Sequence, residues 1–456
     1  MKQALTSPLK KGGRSVGCAA RTIGRKTVRA AHPTVILAVL LLSFSAGIHA
    51  APELTPPVDL PAVAAANAAL EAHPGVLAAQ ARVAAAMAEG RRLKAGEYEY
   101  QARAGYTRRR EGGDSGGLGA MNDWELGIER GLRLPGKAKL DGEIGATLAA
   151  EAEERVGDAR HEAARDLLAT WYAALRGQSD ALAWREQAVL LRQQRDVVEK
   201  RIKAGDAAAM ERSQAEAAWR QAEAEARRAE TVALEATAGL SARFPGLPTP
   251  SLAHPPQPGT LPTLAGSASE WAGAALEHNH ELAILQRQSE RMRILTRRSQ
   301  ADLTPDPSLG LHYSRERSGQ DHLFGVSITL PLAGENRRAR VDVSSEEARA
   351  LAQQEAAAKA RIEGEIRILH ARLQGTLNRL EALEEMARQL DSYAALAWRA
   401  YQMGETPLWE ALNARKSARD ARRETLLSRL DLHEAAARLL LDSHKLWPLA
   451  EKGAHH

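Results

Sequence analysis

Apolar residues recur every three or four positions along two long stretches of this chain and at every second position along four short ones. Leu148, Ala152, Val156, Ala159, Ala163, Leu167, Trp171 and Leu175 trace one face of a helix, and no proline interrupts residues 137–203. At 1.5 Å per residue that stretch spans roughly 100 Å. Residues 337–402 make its partner. Helices in compact domains average about 11 residues, so the pattern predicts coiled coils or an elongated helical tube.

The second half of the chain repeats the first. Gly205-Asp206 and Gly404-Glu405 each end one long helical pattern and open another, at an offset of 199 residues. At that offset Ala215, Trp219, Ala222, Ala226, Ala229, Ala233, Ala236 and Leu240 fall on Ala414, Ala418, Ala421, Thr425, Ser428, Leu432, Ala435 and Leu439. Both copies run at alternating spacings of four and three, a seam of mostly small residues that lets helix axes approach closely. Upstream, Gly127 to Gly136 answers Gly325 to Gly334, and His73-Pro74 answers Asn279-His280. Each copy reads helix, strand, loop, strand, very long helix, tip, long helix. A unit of about 200 residues is too large for a solenoid repeat and indicates an internal duplication.

The short segments alternate with period two. Trp124, Leu126 and Ile128 share one face, as do Phe324, Val326, Ile328 and Leu330, and likewise Leu309, Leu311 and Tyr313. Tyr98, Tyr100, Ala102, Ala104 and Tyr106 alternate more weakly with Glu99, Gln101, Arg103 and Thr107. Strands of about 10 residues with one apolar and one polar face suit a membrane barrel, and also a small sheet packed on the helices. Glu125, Glu129 and Arg103 require water on the polar face. Four strands cannot close a barrel, and an open edge cannot sit in lipid. A membrane sheet therefore needs several chains, and three would supply 12 strands around an aqueous lumen. The intervening loops, Glu111 to Asn122 and Arg317 to Asp321, are polar and glycine-bearing.

Charge changes the picture once the leader is set apart. The chain carries 62 Lys and Arg against 57 Asp and Glu, but residues 1–50 hold eight of the basic residues and no acid. The remainder has 54 basic against 57 acidic residues, which removes the electrostatic footprint of a nucleic-acid binder. The basic stretch precedes an apolar run from Val35 to Ile48 and a small residue at Ala50, the layout of a secretory signal peptide. The lone cysteine, Cys18, lies ahead of that run, so the mature chain offers no thiol, disulfide or lipidation site. The expected organisation is a signal peptide at 1–50, an extended segment at 51–62, repeats at 63–244 and 268–447 joined by a Pro-rich linker at 245–267, and a tail at 448–456.

A duplicated unit of two strands beside two very long helices, behind a signal peptide, resembles the TolC family of outer-membrane efflux ducts. The marks are Tyr401-Gln402-Met403-Gly404-Glu405-Thr406, continuing Leu408-Trp409-Glu410-Ala411-Leu412-Asn413-Ala414, and Leu330-Pro331-Leu332 before a glycine and an Arg-rich helix start. The latter, with Leu134-Pro135-Gly136-Lys137, looks most like the branch serving cobalt-zinc-cadmium cation efflux. The resemblance implies a mainly α fold with a membrane β-barrel: a homotrimeric helical tube plus a 12-stranded barrel, four strands per chain, in outer-membrane lipid. It implies a passive duct, not an enzyme, docking on a periplasmic adaptor and an inner-membrane resistance-nodulation-division (RND) transporter. Gly205, Asp206, Gly404 and Glu405 would be the docking tips.

Family members ring the closed end of the tube with acids six residues after the tip glycine and lock the inner helices by polar links. Here those acids are Glu410 and Glu211, and Tyr401 is the matching aromatic. A second acidic position, three residues on, is occupied by Asn413, and an arginine position two after the glycine by Thr406. Acids at a helix start are also favoured simply by the helix dipole. No cofactor is implied. His278 and His280 alternate at a helix start, where capping explains them, and His455-His456 has no third ligand, so no metal site is expected. Trp171, Trp184, Trp219 and Trp398 are expected in the helical seams, and Trp124 and Phe324 either there or at a membrane interface. A periplasmic coiled-coil scaffold or adaptor without a barrel, and a drug-efflux duct of the same family, remain open as alternatives.

Overall fold

In the computed structural model, residues 52–110, 120–250 and 261–447 are described. The expected signal peptide with Cys18, most of the first strand loop (111–119), the middle of the linker (251–260) and the tail 448–456 lie outside them. The described elements are α1 (Val63–Glu71), α2 (Pro74–Ala95), β1 (Gln101–Arg109), β2 (Met121–Gly131), α3 (Pro135–Lys203) and α4 (Ala209–Arg243), followed by α5 (Ala268–Glu277), α6 (His280–Ala301), β3 (Ser308–Glu316), β4 (Asp321–Thr329), α7 (Glu335–Met403) and α8 (Leu408–Asp442). The duplication is visible in the lengths. Helices α3 and α7 each have 69 residues, and α4 and α8 each have 35.

The small-residue seam is the buried face of the long helices. Ala215, Ala222, Ala226, Ala229, Ala233 and Leu240 are buried on α4, and Ala414, Ala418, Ala421, Ser428, Leu432, Ala435 and Leu439 on α8. Thr425 is half-buried and donates to the Leu383 carbonyl of α7 at 3.2 Å, so even the polar seam position ties two helices together. Where α2 crosses α3 the backbones nearly touch: a Cβ on Gly145 would stand 2.7 Å from the Gly90 Cα. Only glycine permits that approach. The tryptophans divide. Trp171 is buried and donates to the Asp59 carbonyl at 2.8 Å. Trp219 departs from the expectation: it is half-exposed, with Arg195 and Arg220 stacked on its ring, because the flanking alanines let charged stems fold over the indole.

The main core draws on both repeats and on the N-terminal segment, with Leu54, Leu70, Leu167, Tyr172, Trp271, Leu373 and Leu439 among its members. The segment after residue 51 is pinned at two places. Leu54 bridges to Leu264, and Asp59 accepts from the Tyr172 hydroxyl at 3.0 Å and meets the His433 ring at 3.0 Å.

The four strands form one antiparallel sheet in the order β1-β2-β3-β4. Beginning at Met121, β2 takes in Asn122, so the first loop ends earlier than the sequence suggests. Tyr98 and Tyr100 precede β1 and do not continue its alternation; the Tyr98 hydroxyl turns to Asp306 at 2.8 Å. In register, Ala104, Leu126, Tyr313 and Phe324 lie side by side, as do Ala102, Ile128, Leu311 and Val326. This apolar face is uncovered within the chain: Phe324 is 75% and Ile128 45% exposed. Arg103, Glu125, Glu129 and His312 occupy the other face. Both Trp124 and Phe324 are exposed on the apolar face and not in a seam; Trp124 packs on Tyr106 with ring centres 4.8 Å apart. No described helix is long and apolar enough to cross a membrane, which leaves the sheet untouched as a candidate.

The strands are anchored to the helices by a buried cation. Lys137, 2% exposed, donates to the Thr304 carbonyl at 2.7 Å and lies 3.0 Å from Asp306 and 3.1 Å from Asp302. Asp306 also accepts from the Leu134 amide at 3.1 Å, just ahead of the proline that opens α3. The junction thus joins the α6–β3 turn of the second repeat to the start of α3 in the first.

Ala421→Leu should overpack the α7–α8 seam and cost about 1–3 kcal/mol. Arg422→Leu, one position on and facing solvent, should stay within about 0.5 kcal/mol. Denaturant midpoints of the two variants in detergent check this; equal losses would refute the seam assignment.

Candidate functional site

Each long helix pair turns on a glycine. Gly205 and Gly404 take φ of 83° and 80°, left-handed values that side-chain-bearing residues avoid. After Gly404 the chain closes with Gly404 N–H to Tyr401 O at 3.0 Å and Glu405 N–H to Ala400 O at 2.9 Å, satisfying the last carbonyls of α7. Gly205 and Asp206 do the same for α3 with Ile202 and Arg201. Gly205, Asp206, Gly404 and Glu405 are all exposed at these tips, with Met210, Met403 and Trp409 exposed beside them.

The two tips are cross-linked through Tyr401. Its ring is 2% exposed, among Val198, Ala215, Leu408 and Ala411. Its hydroxyl donates to the Glu211 carboxylate at 2.6 Å, from the last turn of α7 to the first turn of α4. Arg201, in the last turn of α3, donates to the Tyr401 carbonyl at 2.7 Å and to the Asp206 carbonyl at 3.2 Å. Its guanidinium also lies 4.5 Å from the Tyr401 ring centre. A phenol, a carboxylate and a guanidinium therefore tie the first repeat's tip to the second's. Burial first, and then the hydrogen bond to Glu211, push the Tyr401 phenol up to about 12.

Of the four residues singled out in sequence, the structure brings together Tyr401 and Glu211 only. Glu410 stands half-exposed in the first turn of α8, with no side-chain hydrogen bond or ion pair among the described residues. Asn413 is exposed on the next turn. Arg201 is the participant that sequence reasoning missed. Its only sequence signal is a basic last turn shared with Lys200 and Lys203, which does not single it out.

A fold that raises the Tyr401 pKa favours the protonated phenol. Its contribution to stability is present below the ordinary value near 10 and is lost as pH rises through about 12. The ultraviolet difference titration between wild type and Tyr401→Phe should reveal one phenol ionising well above the others. Glu211→Gln should shift that step downwards, and an unshifted step would deny the contact.

Residues 271–441, spanning α5 to α8, match the sequence family described as outer membrane efflux protein. Among curated proteins none matches the chain by sequence. Solved structures with the same fold include the outer membrane protein VceC of Vibrio cholerae, at 17% identity and a TM-score of 0.65, covering 84% of this chain and 95% of that one. The CmeC outer membrane channel of Campylobacter jejuni has 14% identity and a TM-score of 0.65, with 85% and 86% covered. The open-state MtrE outer membrane channel of Neisseria gonorrhoeae has 16% identity and a TM-score of 0.64, with 85% and 89% covered. This chain therefore has the fold of the TolC-like outer-membrane channels over most of its length, and its second repeat matches the outer membrane efflux proteins, which are channels and not enzymes, in sequence.

Proposed function

We propose that three copies of this chain form an outer-membrane duct that passively carries substrate from a periplasmic adaptor and an inner-membrane RND transporter to the exterior. The observation that carries the reading is the uncovered sheet. Among the described residues β1 and β4 are unpaired edges, and Phe324, Val326 and Ile328 present an apolar face that no described residue covers. In lipid each unpaired backbone group costs several kcal/mol, so the edges require partner strands. Three sheets of four strands close into a 12-stranded barrel with Arg103, Glu125, Glu129 and His312 on its wet inner side. Exposed Met210, Met403 and Trp409 at the tips supply apolar area for the adaptor.

The tips serve as the gate in this reading. Tyr401, Glu211 and Arg201 hold the two repeats' tips together, and opening requires that link to break. Glu410, without a side-chain hydrogen bond or ion pair among the described residues, would meet its two symmetry copies around the axis and favour cations. Heavy-metal cations are the proposed cargo, supported by the Leu330-Pro331-Leu332 and Gly334 pattern of the cation-efflux branch.

In planar bilayers Tyr401→Phe should raise closed-state conductance, and Glu410→Ala should reduce cation over anion preference. A trimer by native mass spectrometry in detergent is the expected assembly. A mature protein that remained monomeric and water-soluble without detergent would refute the duct; unchanged selectivity in Glu410→Ala would remove only that residue from the gate.

A further inference from the structure

Four histidines from four different elements converge far from the tips. His444, just past α8, is the hub: its ring centre lies 5.5 Å from that of His161 on α3, 5.8 Å from His278 at the end of α5 and 5.3 Å from His280 at the start of α6. His278 and His280 do not share a helix, because Asn279 between them caps α6 through its side chain. The break between helices α5 and α6 lets both rings approach His444, with which they, Glu154 and Gln286 line an open cavity.

Several details mark this as more than packing. His161 is 6% exposed, and its Nε2 has no hydrogen-bond partner; the nearest carboxylate oxygen, on Asp442, is 3.4 Å away. An orphaned buried nitrogen is unfavourable unless something occupies it. Gly157 leaves the seat that His280 fills, since a Cβ there would stand 2.3 Å from the ring. The His280 Nδ1 meets Glu154 at 3.3 Å, which orients the ring and leaves Nε2 free. A carboxylate behind an imidazole is the usual support for a metal-ligating histidine.

We propose that His444, His280, His278 and His161 bind one divalent transition-metal ion of the zinc type, stapling the C-terminal segment to α3 and to the α5–α6 junction. Imidazoles bound at about 2.0–2.1 Å to a tetrahedral ion keep their ring centres roughly 5 Å apart, close to the separations found here. As the side chains stand, no group of three or more His, Cys, Asp or Glu among the described residues is placed to hold a metal ion. Binding therefore requires rotation of His278, which is exposed, and of His444, which is half-buried, towards His161 and the seated His280. Imidazole donors select zinc, nickel or copper over calcium or magnesium.

The test uses the full-length protein in detergent with His455→Ala and His456→Ala, which removes the terminal histidine pair. Calorimetry with zinc chloride should give one ion per chain, and cobalt chloride should give the visible absorption of tetrahedral coordination. His444→Ala and His280→Ala should each weaken zinc binding by tenfold or more, as should Gly157→Ala, which displaces the His280 ring. His312→Ala, on the sheet, should leave it unchanged. Should His444→Ala fail to fold, His278→Ala at the exposed end of the cluster carries the same expectation. No stoichiometric zinc binding, or binding indifferent to both His280→Ala and His278→Ala, overturns the proposal, whatever the outcome for the duct.

Discussion

An apolar sheet face with two unpaired edges is the constraint around which the rest of this molecule is arranged. In water such a face would be covered by a helix, yet the eight described α-helices pack elsewhere and Phe324 and Ile328 stay bare. Lipid can cover the face but cannot satisfy the edges, so the sheet is complete only as part of something larger. The helices then need to project from one end of the sheet, and the buried Lys137, held by Asp302, Asp306 and the Thr304 carbonyl, sets that corner. A lone buried ammonium would be costly; three oxygen partners make it tolerable and fix the direction in which α3 leaves the strands.

The duplication is close to symmetric in length and departs from symmetry at the tip, where chemistry is placed. Five residues link α3 to α4 and four link α7 to α8, so the helices before the tip correspond at an offset of 200 residues and those after it at 199. At the larger offset Arg201 is the counterpart of Tyr401. The two therefore occupy equivalent positions and stack on each other, with Glu211 accepting from the tyrosine. A duplicated frame has thereby acquired a link that neither copy could make with itself. Its counterpart acid, Glu410, makes no side-chain hydrogen bond or ion pair among the described residues.

The long helices are stable for a different reason. Their apolar stripe is narrow and rich in alanine, so each residue buries little area, and length compensates. Surface ion pairs such as Arg185 with Glu230 and Arg379 with Glu424 run between neighbouring helices and contribute roughly a few tenths of a kcal/mol each. Close approach of backbones, as at Gly90 with Gly145, is what a wider stripe of leucines would prevent.

The sequence by itself determined whatever depends on local period and local backbone. The four-and-three spacing from Ala215 to Leu240 named the buried face of α4, the alternation from Trp124 to Ile128 named the apolar face of β2, and Gly205 and Gly404 marked the turns that need positive φ. Duplication made each reading twice, which is why the fold was legible. Strand limits were less so, since Tyr98 and Tyr100 alternate as a strand would while their hydroxyls serve Asp306 and Arg130. Only the tertiary structure decided which polar residues meet. Tyr401 and Glu211 are separated by 190 residues, and His161 and His444 by more, so no local pattern pairs them. Their partners are chosen by how helices from the two repeats lie against each other, a property of packing between faces that each sequence segment carries only in half.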